Sequence, residues 1–231
     1  MNTKRGKLIV IDGGDGAGKA SQTRMLTEHL RADGHSVETL DFPQYTQSIF
    51  GKLLRECLDG KRGDFMSYDP RVTSLLYGLD RFVARDKINN WLDAGSIVIL
   101  DRYTTANMLH QGAKIANEDE FAEYLTWLEE VEYRTLGIPK PDLVFLLNTP
   151  LSYRQKLLEQ SAAENKHGTN TRVDLAERDT AHQLAAEKAL HFLIARNKDW
   201  KEIRCATDTK LRSFEDIHQE IFTEVQSTIN A

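Results

Sequence analysis

Short runs of apolar residues alternate along the chain with longer amphipathic stretches. Five runs rich in Leu, Ile and Val have the length of buried strands, and most follow turn-forming residues; they cover residues 7–12, 36–41, 96–100, 142–147 and 201–205. Helical spacing marks the intervals, beginning with a helix from Gly18 to about Ala32. A stronger helical stripe follows at Val72, Leu75, Leu76, Leu79 and Val83. This alternation predicts an α/β fold, with a five-stranded parallel sheet flanked by helices.

The first predicted strand leads into a glycine-rich turn. Residues 13–19 match the P-loop pattern of a glycine, four residues and Gly-Lys. In such a loop the backbone N–H groups surround phosphate oxygens, and the lysine reaches the outer phosphates. The motif therefore predicts binding of a nucleoside triphosphate, although Ala20 stands where a Ser or Thr hydroxyl normally contacts Mg²⁺. The candidate ATP-binding residues are Gly13, Gly14, Asp15, Gly16, Ala17, Gly18, Lys19, Ala20 and Ser21.

Composition narrows the classes of protein that remain. The 231 residues suit a single domain over 1–231, and 40% hydrophobic with 28% charged residues is ordinary for a globular protein. The net charge of −5 argues against general affinity for nucleic acid. No apolar run approaches the ~20 residues that span a bilayer, and no secretory segment is recognisable. Cys57 and Cys205 suggest neither a zinc site nor a disulfide, so we expect a cytoplasmic location without membrane contact.

A polar segment at residues 159–178 interrupts the alternation. It contains few apolar anchors, and two interpretations remain open. The segment is either a flexible connection or a mobile lid over the phosphates. Lys166, Arg172 and Arg178 are its basic residues.

Polar residues at three further places are candidates for chemistry. Asp101 and Arg102 follow the third predicted strand, where ligands of open parallel sheets collect, although they would also suit a surface turn or a helix cap. Tyr77 and Arg81 are four residues apart on one predicted helix, so they form either an exposed base-binding pair or an ordinary solvated pair. The same two alternatives hold for the pairs of amides, Asn107 and Gln111.

Phosphoryl transfer between two nucleotides would require many positive charges. An acceptor monophosphate alone brings a charge of about −1.5 to −2. One magnesium ion does not neutralise this together with a triphosphate, so Lys19, Arg102 and further arginines must share the task.

With these motifs in place, the sequence resembles the thymidylate kinases from about residue 7 to residue 221. The resemblance rests on the P-loop with Asp15 and Gln22 and on four further segments. These are Phe-Pro-Gln-Tyr-Thr-Gln-Ser at 42–48, Leu-Tyr-Gly-Leu-Asp-Arg at 76–81, Asp-Arg-Tyr at 101–103 and Leu-Gly-Ile-Pro-Lys-Pro-Asp-Leu at 136–143. The resemblance implies transfer of the γ-phosphoryl group of ATP to dTMP, with Mg²⁺ as cofactor and a homodimer as the assembly.

The resemblance also implies roles on the phosphate side of the site. Lys19 would hold the transferring phosphoryl group, and Asp15 would approach the 3′-hydroxyl of the acceptor and the metal. Arg102 would bridge toward the acceptor phosphate, assisted by Tyr45. Because position 16 is glycine, the family layout with a catalytic arginine in the lid applies, which makes Arg172 or Arg178 its candidate. Asp174 and Glu177 resemble the acidic positions of such a lid.

On the base side, the resemblance implies that Tyr77 stacks on thymine, while Arg81 and Asn107 contact its edge. His110 stands where the family often places an aromatic ring near C2′. The residues expected to bind dTMP are Asp15, Phe42, Pro43, Tyr45, Tyr77, Arg81, Arg102, Asn107, His110 and Gln111.

Three points stay open at the level of the sequence. Since Ala20 cannot bind a metal, we expect Asp15 or Asp101 to hold Mg²⁺ together with the phosphates and water. A related kinase of broader specificity, or a P-loop protein without catalytic activity, is the alternative function. The stripe from Val72 to Val83, together with Phe82, either contributes to a dimer or is covered by the sheet of the same chain.

Overall fold

The computed structural model describes residues 4–164 and 179–230, with residues 158–164 described as backbone only. Five parallel strands form one sheet in the order β2-β3-β1-β4-β5. Their bounds are β1 Leu8–Gly13, β2 Val37–Asp41, β3 Ile97–Asp101, β4 Leu143–Asn148 and β5 Lys201–Arg204. The predicted α/β fold with a five-stranded parallel sheet is confirmed, and each strand begins and ends within one residue of its predicted bounds.

Helices cover both faces of this sheet. They are α1 Lys19–Ala32, α2 Ile49–Leu58, α3 Pro70–Asp93, α4 Thr104–His110, α5 Glu118–Glu129, α6 Leu151–Glu164, α7 Thr180–Arg196 and α8 Phe214–Asn230. A π-helical turn, Glu130–Thr135, continues α5. Side-chain caps stabilise the first turns of several helices. In α3 the Asp69 side chain accepts hydrogen bonds from backbone N–H groups of the first turn, and Pro70 occupies the first helical position. None of the helices within the described residues is long and apolar enough to cross a membrane.

The strands are apolar at nearly every position because both faces of the sheet are covered. Leu8 and Val10 of β1 point into a core built with α3, α5 and α7. Ile9 and Ile11, which alternate with them, point into the opposite core formed with α1 and α8. The result is a three-layer sandwich, in which the carboxyl ends of β1 and β3 meet at one edge.

The apolar stripe on α3 faces away from the sheet. Val72 and Val83 are 59% and 53% exposed, and Leu75 and Phe82 are also exposed. The helix packs on the sheet with Ala84, Ile88 and Leu92 instead; these belong to the core. Of the two interpretations of the stripe, cover by the sheet of the same chain is wrong. Exposed Ile49 and Leu53 on neighbouring α2 are further apolar residues of this kind.

The predicted break at residues 159–178 begins later than expected. Helix α6 continues through Glu164, so the first six of these residues are helical. Lys166, Arg172, Asp174, Glu177 and Arg178 lie outside the described residues. The lid therefore stays a prediction.

Candidate active site

The phosphate loop, residues 13–19, joins β1 to α1. Gly18 has a φ of +92°, a left-handed conformation that favours glycine at the turn into the helix. Gly14 lies so close to the Arg154 guanidinium that a Cβ atom there would approach Arg154 Nη1 to 2.4 Å. Lys19 is buried, and its Nζ donates hydrogen bonds to the carbonyl oxygens of Gly13 at 3.2 Å and Gly14 at 2.8 Å. Lys19 therefore lies along the loop that is expected to bind the phosphates of the nucleotide.

Burial controls the charge of Lys19. Burial and the neighbouring Arg102 lower its pKa to about 8, although Asp15, Asp101 and Asp12 act in the opposite direction. Lys19 and Arg102 thus form a cluster with these three carboxylates. Such clusters of interacting charges, with shifted pKa values, are typical of functional sites.

Arg102 follows β3 in a strained conformation. Its φ of +65° lies in the left-handed region, which is costly for a residue with a side chain and is typical of functional sites. Its backbone N–H donates to Ile11 O at 3.1 Å, and its guanidinium forms ion pairs with Asp15 and, at 3.8 Å, with Asp12. Its Nη1 also donates to His110 Nε2 at 3.1 Å. These contacts hold the arginine beside the phosphate loop.

Asp15 is the member of the phosphate loop that faces outward into a cavity. One carboxylate oxygen accepts a hydrogen bond from Arg102, and the other accepts one from Gln183 Nε2 at 3.0 Å. Burial is the largest single effect and favours the protonated acid, but Arg102, Lys19 and the other neighbouring groups together outweigh it and hold the pKa of Asp15 well below its usual range. Asp15 is therefore a carboxylate at neutral pH.

His110 is neutral in this environment. Burial lowers its pKa to about 3, with Arg102 acting in the same direction and Asp15 against it. Because a guanidinium only donates, His110 Nε2 must accept the hydrogen bond from Arg102. The imidazole stacks on His182 of α7, with ring centroids 5.8 Å apart.

A cavity of about 280 Å³ opens beside Asp15 and Arg102. It brings together all the residues expected to bind dTMP, which come from five separate segments of the chain. The lining includes Asp15, Phe42, Pro43, Tyr45, Tyr77, Arg81, Asp101, Arg102, Asn107, His110 and Gln111. The Phe42–Pro43 peptide bond on its wall is cis. The size suits a small ligand, and both charged groups and aromatic rings line the cavity.

Arg81 differs from its expected environment. Both interpretations of the sequence placed Arg81 in an exposed pair with Tyr77, but Arg81 is only 2% exposed. Its Nε donates to Glu132 Oε2 at 2.7 Å, Nη2 donates to the other oxygen of this carboxylate, and Nη1 donates to Tyr103 O at 3.2 Å. Burial alone would lower the pKa of Arg81, yet Glu132 raises it above its usual value. The arginine is therefore a buried, fixed donor, and the interpretation as a solvated pair is wrong.

Arg154 and Gln183 are site residues that the sequence did not reveal. Arg154 lies buried beneath the phosphate loop, where it donates to Asp15 O at 3.3 Å, Thr149 O at 3.0 Å and Gln183 Oε1 at 2.6 Å. Gln183 in turn holds the Asp15 carboxylate. Arg154 could have been predicted from its position shortly after β4, because the carboxyl ends of parallel strands meet at one edge of the sheet.

The oxygen atoms near Lys19 fit a hard cation with few protein ligands. Burial raises the pKa of Asp101 above its usual value, against the effect of Lys19 and Arg102. Both oxygens of Asp15 already accept hydrogen bonds. Among the residues that the structure describes, no group of three or more His, Cys, Asp or Glu converges on one point. Mg²⁺ tolerates such a site, because it keeps several waters and binds phosphate oxygens.

The fold and the phosphate loop define the class of protein. The parallel sheet carries a P-loop between its first strand and first helix, with the cavity beside that loop. These features define an α/β P-loop protein. The sequence profile of the thymidylate kinase family matches residues 11–221. The chain therefore belongs to the thymidylate kinase family.

Individual relatives agree with this assignment. The chain is 38% identical to the thymidylate kinase of Mycobacterium tuberculosis over 140 residues, which cover 61% of this chain and 64% of that protein. It is 31% identical to the thymidylate kinase of Homo sapiens over 221 residues, covering 96% of this chain and 90% of the human protein. A solved structure of the thymidylate kinase from Candida albicans shares the fold, with a TM-score of 0.73 at 20% identity over 97% of this chain and 94% of that chain.

Proposed function

We propose that this protein transfers the γ-phosphoryl group of ATP to dTMP and releases dTDP and ADP. The observation that carries the proposal is the position of Asp15, which belongs to the phosphate loop and also lines the cavity next to Tyr77 and Arg81. A triphosphate on the loop and a monophosphate in the cavity would therefore meet beside Arg102. Membership of the thymidylate kinase family supports both the reaction and the acceptor.

Electrostatic stabilisation is the main task that the reaction sets for the protein. Phosphoryl transfer needs alignment of donor and acceptor and charge neutralisation more than it needs covalent chemistry. In the proposed complex Lys19 leaves the loop carbonyls and follows the outer phosphate oxygens. Arg102, held between Asp15 and His110, presents its fork to the oxygens of the acceptor phosphate. The lid arginine, Arg172 or Arg178, adds positive charge and excludes water from the transferring group.

The nucleobase occupies the end of the cavity that is farther from the loop. Tyr77 supplies an aromatic face for thymine, while Arg81 and Asn107 supply polar groups for its edge. His110 lies near the sugar and, being neutral, adds no charge beside the acceptor phosphate.

Mg²⁺ is part of the proposal. When bound, it neutralises charge on the phosphates of ATP. Asp15 or Asp101 would hold it, directly or through water, since each oxygen of the Asp15 carboxylate accepts one hydrogen bond and keeps a further lone pair. Ala20 contributes no ligand, which leaves the phosphates and water to complete the coordination.

A homodimer and a cytoplasmic location complete the proposal. Exposed apolar residues of α2 and α3 support the dimer, because a run of such residues on one side of a domain usually marks an interface. They are Ile49, Leu53, Val72, Leu75, Phe82 and Val83. The two buried free cysteines, Cys57 and Cys205, suit a reducing compartment.

A coupled assay of ADP release tests the reaction. With ATP and Mg²⁺, we expect rapid turnover with dTMP, slower turnover with dUMP and little with dCMP or thymidine. Tyr77→Ala should raise the KM for dTMP with a smaller effect on kcat, since it removes stacking that is the same before and during reaction. Turnover of thymidine but not dTMP would indicate a nucleoside kinase. ATP binding without ADP release on any acceptor would indicate a protein that only binds the nucleotide.

A further inference from the structure

Glu132 is a fully buried carboxylate behind the acceptor cavity. It lies in the π-helical turn Glu130–Thr135 and accepts hydrogen bonds from three different side chains. Arg81 donates through Nε at 2.7 Å and through Nη2, Thr104 Oγ1 donates at 2.7 Å, and Asn107 Nδ2 donates at 3.1 Å. A buried charge is tolerated only with such a full set of partners. Two of these partners, Arg81 and Asn107, line the cavity.

The position of Glu132 fixes the amide orientation of Asn107. The amide nitrogen donates to Glu132 Oε1 and, at 3.2 Å, to the carbonyl oxygen of Ser74. A carboxylate and a carbonyl both only accept, so the nitrogen and its two hydrogens must lie on this side. The amide oxygen is therefore the group that is left for the cavity. Asn107 presents a hydrogen-bond acceptor to the ligand.

Glu132 also fixes the orientation of Arg81. The guanidinium has five N–H groups, of which two donate to Glu132 and one donates to Tyr103 O. The remaining two are donors for the cavity that Arg81 lines. The polar wall of the cavity thus places a donor next to an acceptor, and one carboxylate holds both in place.

This pattern distinguishes between pyrimidines. Thymine and uracil carry an N3–H donor beside the O4 acceptor, which matches an acceptor from Asn107 and a donor from Arg81. Cytosine carries an N3 acceptor beside an amino donor. Cytosine would place its N3 acceptor against the acceptor of Asn107 and its amino donor against the donor of Arg81. Buried polar groups left unpaired in this way cause strong discrimination against the ligand.

We infer that Glu132 is a positioning residue that selects thymine or uracil over cytosine by fixing the donor of Arg81 and the acceptor of Asn107. The inference rests on the proposed function, since it takes a pyrimidine monophosphate as the ligand of this cavity. Glu132 itself does not touch the substrate.

The ratio of kcat/KM for dTMP to kcat/KM for dCMP tests the inference. Glu132→Gln replaces one acceptor oxygen by an NH₂ group, which opposes a donor of Arg81 in either orientation of the amide and, at the Oε1 position, also the amide nitrogen of Asn107. We expect this ratio to fall by at least about tenfold, the size of effect that one good donor–acceptor match provides. A general loss of stability would lower both rates and leave the ratio unchanged.

Two further variants separate positioning from stability. Leu30→Ala opens a cavity in the core on the other face of the sheet, so it should lower the melting temperature and keep the wild-type ratio. Glu132→Asp keeps the charge that neutralises Arg81, and therefore the fold. Its shorter side chain does not reach Arg81 and Asn107 together, so its ratio should lie between those of the wild type and Glu132→Gln.

The outcomes are distinguishable. A wild-type ratio in folded Glu132→Gln or Glu132→Asp would overturn the inference and leave the proposed function intact. If Glu132→Gln does not fold, the ratio of Glu132→Asp decides in the same way. If the wild-type protein does not phosphorylate dTMP at all, the proposed function fails first.

Discussion

Replacement of Arg102 by alanine is the most direct test of the charge arrangement at the site. In the free protein this side chain joins Asp15, Asp12 and His110. In the proposed complex it neutralises negative charge on the acceptor phosphate during transfer of the γ-phosphoryl group. Arg102→Ala should therefore lower kcat much more than it raises the KM for ATP, because the lost interaction strengthens in the transition state.

The expected magnitude follows from the burial of the contact. Arg102 forms its ion pair with Asp15 in a largely buried environment, where one preorganised charge is effective. Removal of a single such donor typically costs about 100- to 1000-fold in kcat, or roughly 2.7 to 4 kcal/mol. Arg102→Lys keeps the charge without the fork and should retain part of this rate.

A second measurement tests whether the charge of Arg102 acts on the neighbouring imidazole. Burial and Arg102 both lower the pKa of His110, whereas Asp15 raises it. Without Arg102 the pKa of His110 should rise from about 3, which proton NMR of the imidazole detects. The matched control is Arg134→Ala, which removes an exposed ion pair with Glu130 and should leave kcat within a factor of two. The reasoning is refuted if Arg102→Ala also stays within a factor of two.

Three further outcomes are expected. The pH profile of kcat/KM for ATP should fall above about pH 8, where Lys19 loses its proton, and Lys19→Arg should lose this alkaline decline because arginine stays charged; a decline that persists in the variant contradicts the assignment. Arg154→Met should lower the free energy of unfolding in urea by about 3 kcal/mol, since it removes three hydrogen bonds of about 1 kcal/mol each, two of them buried and one partly buried; a loss below about 1 kcal/mol contradicts it. The double variant Val72→Lys/Val83→Lys should turn the proposed dimer into a monomer in sedimentation velocity, and an unchanged sedimentation coefficient would contradict an interface at these residues.

The sequence predicted the sheet closely because its signal is local. Each strand of the sheet centre is buried on both faces, so the apolar run itself defines the strand. The phosphate loop is also local, since a glycine pattern and one lysine lie within seven residues of one another. Asp101 and Arg102 could be placed at the site because parallel strands end at a common edge.

Long-range polar contacts could not be predicted in this way. Glu132 follows Glu129 and Glu130, and such a run of acids is typical of a solvated helix face. Its burial depends on Arg81, 51 residues away in the chain. Gln183 reaches Asp15 across 168 residues, and no spacing in the sequence encodes that contact. Residues that position the site from behind are therefore visible only after folding.

The charges around Lys19 explain why the site needs partners. Among the residues that the structure describes, the charges that act most strongly on this lysine are those of one arginine, Arg102, and three carboxylates, Asp12, Asp15 and Asp101. The net charge of this cluster is negative before a nucleotide binds, and the carboxylates stabilise the buried cations of Lys19 and Arg102. A triphosphate and a monophosphate would add several negative charges to it, at a cost that a low-dielectric site increases. Binding of both substrates must therefore bring positive charge with it, and Mg²⁺ and the basic residues at 166, 172 and 178 are the sources that the proposal supplies. Catalysis would then depend on the simultaneous arrival of metal and lid, which also protects ATP from hydrolysis when the acceptor is absent.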